Sequence, residues 1–265
     1  MNPARWMALL ALAGVSGFGQ LAPPNEMGVS IGHIHLMLGD PDATKKLWVG
    51  LFGAQVTSAG SLEMLKLPGV FIIAQKARVA PPEGSDGSSV NHFGFLVKSY
   101  AETRKKLEDA GLTFSMDNPQ TKQVIAVFPE KVRVEFTEDP SIDVPIKFHH
   151  IHEAGVDQEA VRDWYVKTFG AKPGKRGAFP AAFIPGGEVD VMKAQTAPAP
   201  TKGRTLDHIG FEVKNLEAFC KKLAADGVTF DMAYREIPQL GGLKIAIIVD
   251  PNGTRIELSE GLAAH

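Results

Sequence analysis

The stretch Asp207-His208-Ile209-Gly210-Phe211 is one of four related segments in a chain of 265 residues. The other three are Gly32-His33-Ile34-His35-Leu36, Asn91-His92-Phe93-Gly94-Phe95 and His149-His150-Ile151-His152. Consecutive marker histidines lie 58 or 59 residues apart, where the markers are His33, His92, His150 and His208. A period this regular indicates that one structural unit occurs four times.

Each unit has the same order of secondary-structure patterns. A short strand-like run begins at the marker histidine, an amphipathic helical pattern follows, and three short apolar segments complete the unit. A glycine follows each helical pattern, where it is favoured because it adopts the left-handed conformation without strain. The unit is therefore predicted to be β-α-β-β-β, with helices over Ala43–Phe52, Ala101–Ala110, Gln158–Phe169 and Leu216–Ala225.

A second level of repetition suggests how the units are grouped. Residues 48–54 resemble residues 164–171, and residues 106–111 resemble residues 222–227, so the first two units correspond to the last two. Pro-rich loops lie within each half, and residues 139–145 have the composition of a linker. We therefore predict an α+β protein in which consecutive units pair, giving domains over residues 28–140 and 146–262.

The composition and the N-terminal segment limit the partners and the location. A formal net charge of -2 provides no basic surface for a phosphate backbone, which argues against nucleic acid as a partner. Residues 1–19 contain a short basic start, an apolar run and small residues, which is typical of a secretory signal peptide. We therefore expect a periplasmic or secreted protein without a stable membrane span once this segment is removed.

The last strand of each even-numbered unit carries a glutamate between apolar residues. Glu135 lies between Val134 and Phe136, and Glu257 lies between Ile256 and Leu258. Side chains alternate along a strand, so each glutamate is predicted to point away from the helix-covered face. A carboxylate in a cleft needs a counter-charge or a coordinated ion.

Two imidazoles and one carboxylate form a common donor set for a divalent cation. The predicted pairing of consecutive units gives two such sets. The first contains His33, His92 and Glu135, and the second contains His150, His208 and Glu257. The metal is not determined by these residue types, since Fe, Mn, Zn and Ni all accept imidazole and carboxylate ligands.

The repeated unit, the histidine in each first strand and the run Asp250-Pro251-Asn252-Gly253-Thr254-Arg255-Ile256-Glu257-Leu258 resemble the vicinal oxygen chelate superfamily. This superfamily includes glyoxalase I, extradiol dioxygenases and bleomycin-resistance proteins. The resemblance implies that paired units curl into open, cup-shaped mixed sheets. It also implies metal ligands on the first strands of both units and on the last strand of the second unit.

The residues around the expected sites favour no single reaction. Extradiol dioxygenases use a further histidine and a tyrosine near the metal; between Ile209 and Ile256 this chain has no histidine and one tyrosine, Tyr234, which is therefore the candidate catalytic tyrosine. Glyoxalase I uses a further carboxylate, for which Asp190 is the candidate. His35 and His152 lie two residues beyond a predicted ligand on the same strand face, so they are candidate acid–base residues or neighbours that position the ligand.

The resulting hypothesis is an exported, divalent-metal-dependent lyase, isomerase or dioxygenase that acts on a small oxygen-rich substrate. One alternative is a protein of the bleomycin-resistance type that binds or sequesters a small molecule without catalysis. Another is a chain in which only one half is functional. The sequence does not give the oligomeric state.

Overall fold

Residues 21–265 are described by a computed structural model of the protein. The predicted signal peptide, residues 1–19, lies outside the described residues. None of the helices in the described part is long and apolar enough to cross a membrane.

The described chain contains four β-α-β-β-β units in sequence. The helices are α1 (Pro41–Phe52), α2 (Tyr100–Asp109), α3 (Gln158–Phe169) and α4 (Leu216–Ala225). The strands of the first two units are β1 (Val29–Leu38), β2 (Gln55–Ala59), β3 (Leu62–Leu67), β4 (Val70–Lys76), β5 (Val90–Val97), β6 (Thr113–Asn118), β7 (Gln123–Phe128) and β8 (Val132–Glu138). Those of the last two are β9 (Ile146–Gly155), β10 (Lys172–Arg176), β11 (Phe179–Ile184), β12 (Gly187–Lys193), β13 (Leu206–Val213), β14 (Phe230–Ile237), β15 (Leu243–Val249) and β16 (Arg255–Glu260).

All four predicted helices are confirmed to within two residues at each end. Each begins after a polar residue whose side chain accepts a hydrogen bond from a backbone N–H in the first turn, which compensates for the missing helical partner. These residues are Asp40, Ser99, Asp157 and Asn215. Gly53 and Gly170 end α1 and α3 in the left-handed conformation, as predicted.

The strands form two mixed sheets of eight strands each, which confirms the predicted α+β class with units paired into two open sheets. The first sheet has the order β14-β15-β16-β13-β1-β4-β3-β2 and therefore joins the first and fourth units. The second has the order β10-β11-β12-β9-β5-β8-β7-β6 and joins the second and third units.

The pairing of units differs from the predicted division at residues 28–140 and 146–262. Strand β1 pairs antiparallel with β13, and β5 pairs antiparallel with β9, so consecutive units within each half do not share a sheet. The repeat shows that the four first strands are equivalent, and any two of them can pair through the same edge. Repetition alone therefore could not identify the partners.

Consecutive units meet through their helix-covered faces. Trp48 of α1 is fully buried and stacks on Phe93 of β5 and Phe128 of β7, both in the second unit. Phe169 of α3 contacts Phe211 of β13 in the fourth unit, with the two rings tilted by 54°. One continuous apolar core consequently joins the two sheets.

Side chains of β8 and β16 alternate as predicted. Ile256 and Leu258 are fully buried in this core, while Glu257 between them lies on the concave face of the first sheet. Val134 and Phe136 flank Glu135 in the same manner in the second sheet. The concave faces are therefore the places where the two glutamates and the histidines meet.

A buried pair of acidic groups lies where the two sheets join. Glu153, at the end of β9, is fully buried and accepts a hydrogen bond of 2.6 Å from the hydroxyl of Tyr165. Asp250, in the turn before β16, is its neighbour and accepts hydrogen bonds from the backbone N–H groups of Asn252 and Thr254. Burial, together with the Asp250 carboxylate, raises the pKa of Glu153 well above its usual range.

Candidate metal centres

Seven of the eight histidines lie in the first strands of the units, and six of these form two clusters with the two glutamates. The first centre consists of His33, His35, His208 and Glu257, and the second consists of His92, Glu135, His150 and His152. Within each centre, one donor atom from every residue lies within 4.8 Å of the others. Both could therefore hold a metal ion.

The structure brings together the predicted ligand residues in a different grouping. His33 joins His208 and Glu257, whereas His150 joins His92 and Glu135. The two predicted triads are wrong because they assumed that consecutive units pair. The odd-numbered units contribute their first-strand histidines to the sheet partner, which comes from the other half of the chain.

Donor atoms of the first centre are spaced as ligands of one ion. Nε2 of His208 and Nε2 of His33 lie 3.4 Å and 3.7 Å from the two oxygens of Glu257. Ligands that bind one tetrahedral ion at about 2.1 Å lie about 3.4 Å apart. The observed separations match that requirement without movement of the backbone.

Several nitrogens of the first centre are buried without a hydrogen-bond partner among the described residues. They are both ring nitrogens of His33, Nδ1 of His35 and Nε2 of His208. A buried polar atom without a partner is costly, and coordination of an ion removes that cost. The donor set of the first centre thus fits a divalent metal.

The charges of the first centre favour ligation. Burial lowers the pKa of His33 to about 4, although Glu257 opposes this effect. Burial alone would raise the pKa of Glu257, but the His208 and His33 imidazoles bring it down to about 2. At neutral pH His33 is therefore neutral and Glu257 is ionised, which are the ligating forms; the pKa of His208 is raised by Asp207 and Glu257 despite its burial, so a metal ion would displace a proton from that ring.

A second acidic residue orients His208. Nδ1 of His208 lies 2.8 Å from Oδ1 of Asp207, and Asp207 is itself paired with Arg255. Because an ionised carboxylate only accepts hydrogen bonds, Nδ1 carries the proton and Nε2 presents its lone pair to the centre. Asn91 takes the corresponding position beside His92, at 2.9 Å from Nδ1.

Two glycines make room for the histidines that cross from the neighbouring strand. Gly210 of β13 pairs with His33, and Gly94 of β5 pairs with His150. A Cβ atom on either glycine would overlap the imidazole ring opposite. The glycine of the His-x-Gly pattern in the even-numbered units therefore leaves space for the imidazole ring of the partner unit.

Glu135 in the second centre is already held by hydrogen bonds. Oε2 lies 3.1 Å from Nε2 of His92, and Oε1 accepts from Thr137 at 2.7 Å and from Arg176 at 3.2 Å. The guanidinium of Arg176 also donates to Asp190 at 3.0 Å. A fixed positive charge therefore lies beside the carboxylate of this centre.

A cavity of about 330 Å³ opens onto the first centre. His35, His208 and Glu257 are among its lining residues, and Oε1 of Gln75 accepts a hydrogen bond of 3.1 Å from Nε2 of His35. Most other lining residues are apolar, including Met37, Leu62, Ile73, Met232, Ile245 and Leu262. The predicted position of His35 beside the ligands agrees with this arrangement.

Tyr234 does not lie in either centre, so its predicted catalytic role is corrected. The register of β14 on β15 shifts between Met232 and Arg235, and the extra residue of this bulge turns Tyr234 towards the helix-covered core. Met232, by contrast, lines the cavity. Asp190, the other carboxylate considered for catalysis, lies fully buried in the second centre beside Arg176.

Sequence reasoning missed the residues that support the centres. A polar residue directly before each even-unit histidine, Asp207 or Asn91, was a visible signal for an orienting group. His149, for which no role was predicted, lies with its Nδ1 at 3.0 Å from Nδ1 of His150. Arg176 gave no local signal, since it is one arginine at the end of a short exposed strand.

Comparison with known proteins supports this architecture. Residues 147–258 match the family described as the Glyoxalase/Bleomycin resistance protein/Dioxygenase superfamily. Glyoxalase I from Zea mays superposes with a TM-score of 0.67 over 89% of this chain and 94% of its own, at 15% identity. The chain has the vicinal oxygen chelate fold. No curated protein matches the sequence.

A second solved structure shows the same fold. A protein from Bacillus subtilis subsp. subtilis str. 168, assigned as a candidate dioxygenase, superposes with a TM-score of 0.66 over 92% of this chain and 88% of its own, at 17% identity. At this level of identity the likeness establishes the vicinal oxygen chelate fold and leaves the reaction open. The expected resemblance is thereby confirmed for the fold.

Proposed function

We propose that this protein is a metal-dependent enzyme whose active site is the first centre, with a small substrate that carries two adjacent oxygens. The observation that carries the proposal is the spacing of His33, His208 and Glu257, of which His208 and Glu257 line a cavity. A divalent ion held by these three residues supplies Lewis-acid chemistry, which withdraws electron density from substrate oxygens.

His35 is suited to move a proton in such a reaction. Its ring centroid lies 4.2 Å from that of His208, and it lines the cavity. Burial, with a further contribution from His208, holds the pKa of His35 well below its usual range. His35 is consequently neutral at pH 7 and able to accept a proton from a substrate carbon or hydroxyl group, as required for lyase or isomerase chemistry.

The apolar residues that line the cavity indicate that the substrate carries an apolar group. Leu62, Ile73 and Ile247 line the cavity together with His208 and Glu257. Burying apolar surface contributes about 25 cal/mol per Å², so each substrate methylene group that reaches these walls adds to affinity. The same walls favour a sequestering role as the second candidate function, in which the chelated molecule is held without turnover.

Metal content and probe binding test the proposal together. The protein is loaded separately with Fe²⁺, Mn²⁺, Zn²⁺ or Ni²⁺, and bound metal is measured by mass spectrometry. His208→Ala and Glu257→Gln are expected to lose metal from the first centre, whereas His35→Gln keeps it. Tyr234→Phe serves as a control that keeps the metal. Retention of the full metal content by both H208A and E257Q would overturn the proposal.

A bidentate probe distinguishes the site from simple metal adsorption. Benzohydroxamate offers two adjacent oxygens and an apolar ring, while acetohydroxamate offers the oxygens alone. Benzohydroxamate is expected to bind the Co²⁺-loaded protein at least tenfold more tightly and to change its visible absorption spectrum. Equal affinity for the two probes would contradict the apolar-wall argument, and binding without turnover of any related substrate would favour sequestration.

Export remains part of the proposal. It is supported by the basic start and apolar run within residues 1–19. Expression of the full chain in a Gram-negative host, followed by fractionation and N-terminal sequencing, is expected to give a periplasmic protein that begins near residue 20. A cytoplasmic protein that retains residues 1–19 would count against export.

A further inference from the structure

The two centres differ at three positions that the repeat makes equivalent. First-unit and third-unit residues correspond at a constant separation of 117 positions, as shown by His33 with His150 and by Gly53 with Gly170. The same separation relates Ala59 to Arg176, Phe71 to Glu188 and Ile73 to Asp190. Strand register agrees, since Ile73 pairs with His35 just as Asp190 pairs with His152.

The residues at these three positions are apolar beside the first centre and charged beside the second centre. Around the first centre, Ala59, Phe71 and Ile73 belong to one small apolar cluster. Around the second centre, Arg176 lies 3.0 Å from Asp190 and 3.6 Å from Glu188. The apolar residues beside the first centre are therefore replaced, beside the second centre, by a cluster of charged residues in which Arg176 contacts both carboxylates.

Arg176 reaches the carboxylate that a metal would need. Its Nη2 lies 3.2 Å from Oε1 of Glu135, and Glu135 is almost fully buried. In the first centre the corresponding carboxylate, Glu257, lies 3.4 and 3.7 Å from the imidazole nitrogens of His208 and His33 and forms no salt bridge with an arginine or lysine among the described residues. A divalent ion in the second centre would be repelled by a guanidinium bound to the same carboxylate, in surroundings that screen charge weakly.

We infer that the guanidinium of Arg176 takes the place of a metal ion in the second centre. The chain then binds one metal ion, in the first centre, and the second centre is an internal cluster of ion pairs. This inference rests on the proposed metal site in the first centre. It assigns to Arg176 the counter-charge that the buried carboxylates require. Removal of that charge, with the imidazoles unchanged, should convert the second centre into a metal site.

Metal stoichiometry tests the inference directly, with Zn²⁺ for counting and Co²⁺ for its absorption spectrum. Wild-type protein is expected to hold about one ion per chain and Arg176→Gln about two. Arg176→Lys keeps the positive charge and is expected to stay near one. H208A is expected to fall near zero, and the double variant H208A/R176Q to return to about one, with the Co²⁺ spectrum of the second centre alone.

The outcomes separate this inference from the proposed function. Wild-type protein with two ions, of which H208A keeps one, would overturn the role of Arg176 and leave the first centre assigned. The role of Arg176 would also be overturned if R176Q and R176A both remain folded and each holds one ion. If the wild type holds no ion and R176Q holds one, the proposed function fails while the role of Arg176 stands.

Discussion

Gly210→Ala is expected to lower the metal affinity of the first centre at least a hundredfold. The new Cβ atom would overlap the ring of His33, which is fully buried and cannot swing into solvent. Displacement of that ring moves Nε2 away from Glu257 and removes one of three ligands. Equilibrium titration with Zn²⁺ in competition with a chelator measures the loss.

Two other glycines provide matched controls for this variant. Gly94→Ala creates the same overlap with His150 in the second centre and should leave the affinity of the first centre unchanged. Gly50→Ala lies in α1, where an added Cβ meets no atom within 4 Å. It should keep the metal and stabilise the protein slightly, since alanine favours helix more than glycine. Equal losses of affinity in G210A and G94A would show that the effect is not local.

Glu153→Gln is expected to stabilise the protein at neutral pH, by an amount that grows as the pH rises. The buried carboxyl of Glu153 retains its proton in the folded state above the ordinary value of 4.5, because its pKa is raised. The unfolded chain releases that proton first. The contribution of Glu153 to the stability of the wild type is therefore intact below pH 4.5 and declines as the pH rises above it, by up to about 1.4 kcal/mol per unit.

Glutamine removes this titration and keeps the local contacts. Its carbonyl oxygen can accept from the hydroxyl of Tyr165, and its amide can donate to Asp250. Urea unfolding of the wild type and E153Q at pH 5, 6, 7 and 8 should show a difference that widens with pH. Glu102→Gln, on the exposed side of α2, is the surface control measured at the same pH values. A constant difference for E153Q would contradict the assignment of Glu153 as a protonated buried acid.

The repeat was sufficient to predict the elements of the fold. Capping residues and helix-ending glycines act on near neighbours within one turn of chain, and the period of 58 or 59 residues can be counted directly in the sequence. The ligand residues could also be predicted from local sequence. His33, His92, Glu135, His150, His208 and Glu257 occupy strand positions whose side-chain direction follows from alternation.

Local bulges limited what alternation could predict. Tyr234 shares the sequence parity of Met232, yet one extra residue in β14 turns it into the core, while Met232 stays at the cavity. A bulge reverses every side chain beyond it, and its position depends on the partner strand. The catalytic role predicted for Tyr234 failed for this reason.

What the sequence determined by itself was the unit, its four copies and the residue types that could bind a metal. What only the tertiary structure decided was which copies share a sheet, and hence that His33 meets Glu257 while Arg176 meets Glu135. Equivalent strand edges have equal hydrogen-bonding capacity, so pairing depends on how the helix faces of consecutive units pack. Trp48 against Phe93 and Phe169 against Phe211 bury those faces between consecutive units and leave the strand edges free to pair across the chain.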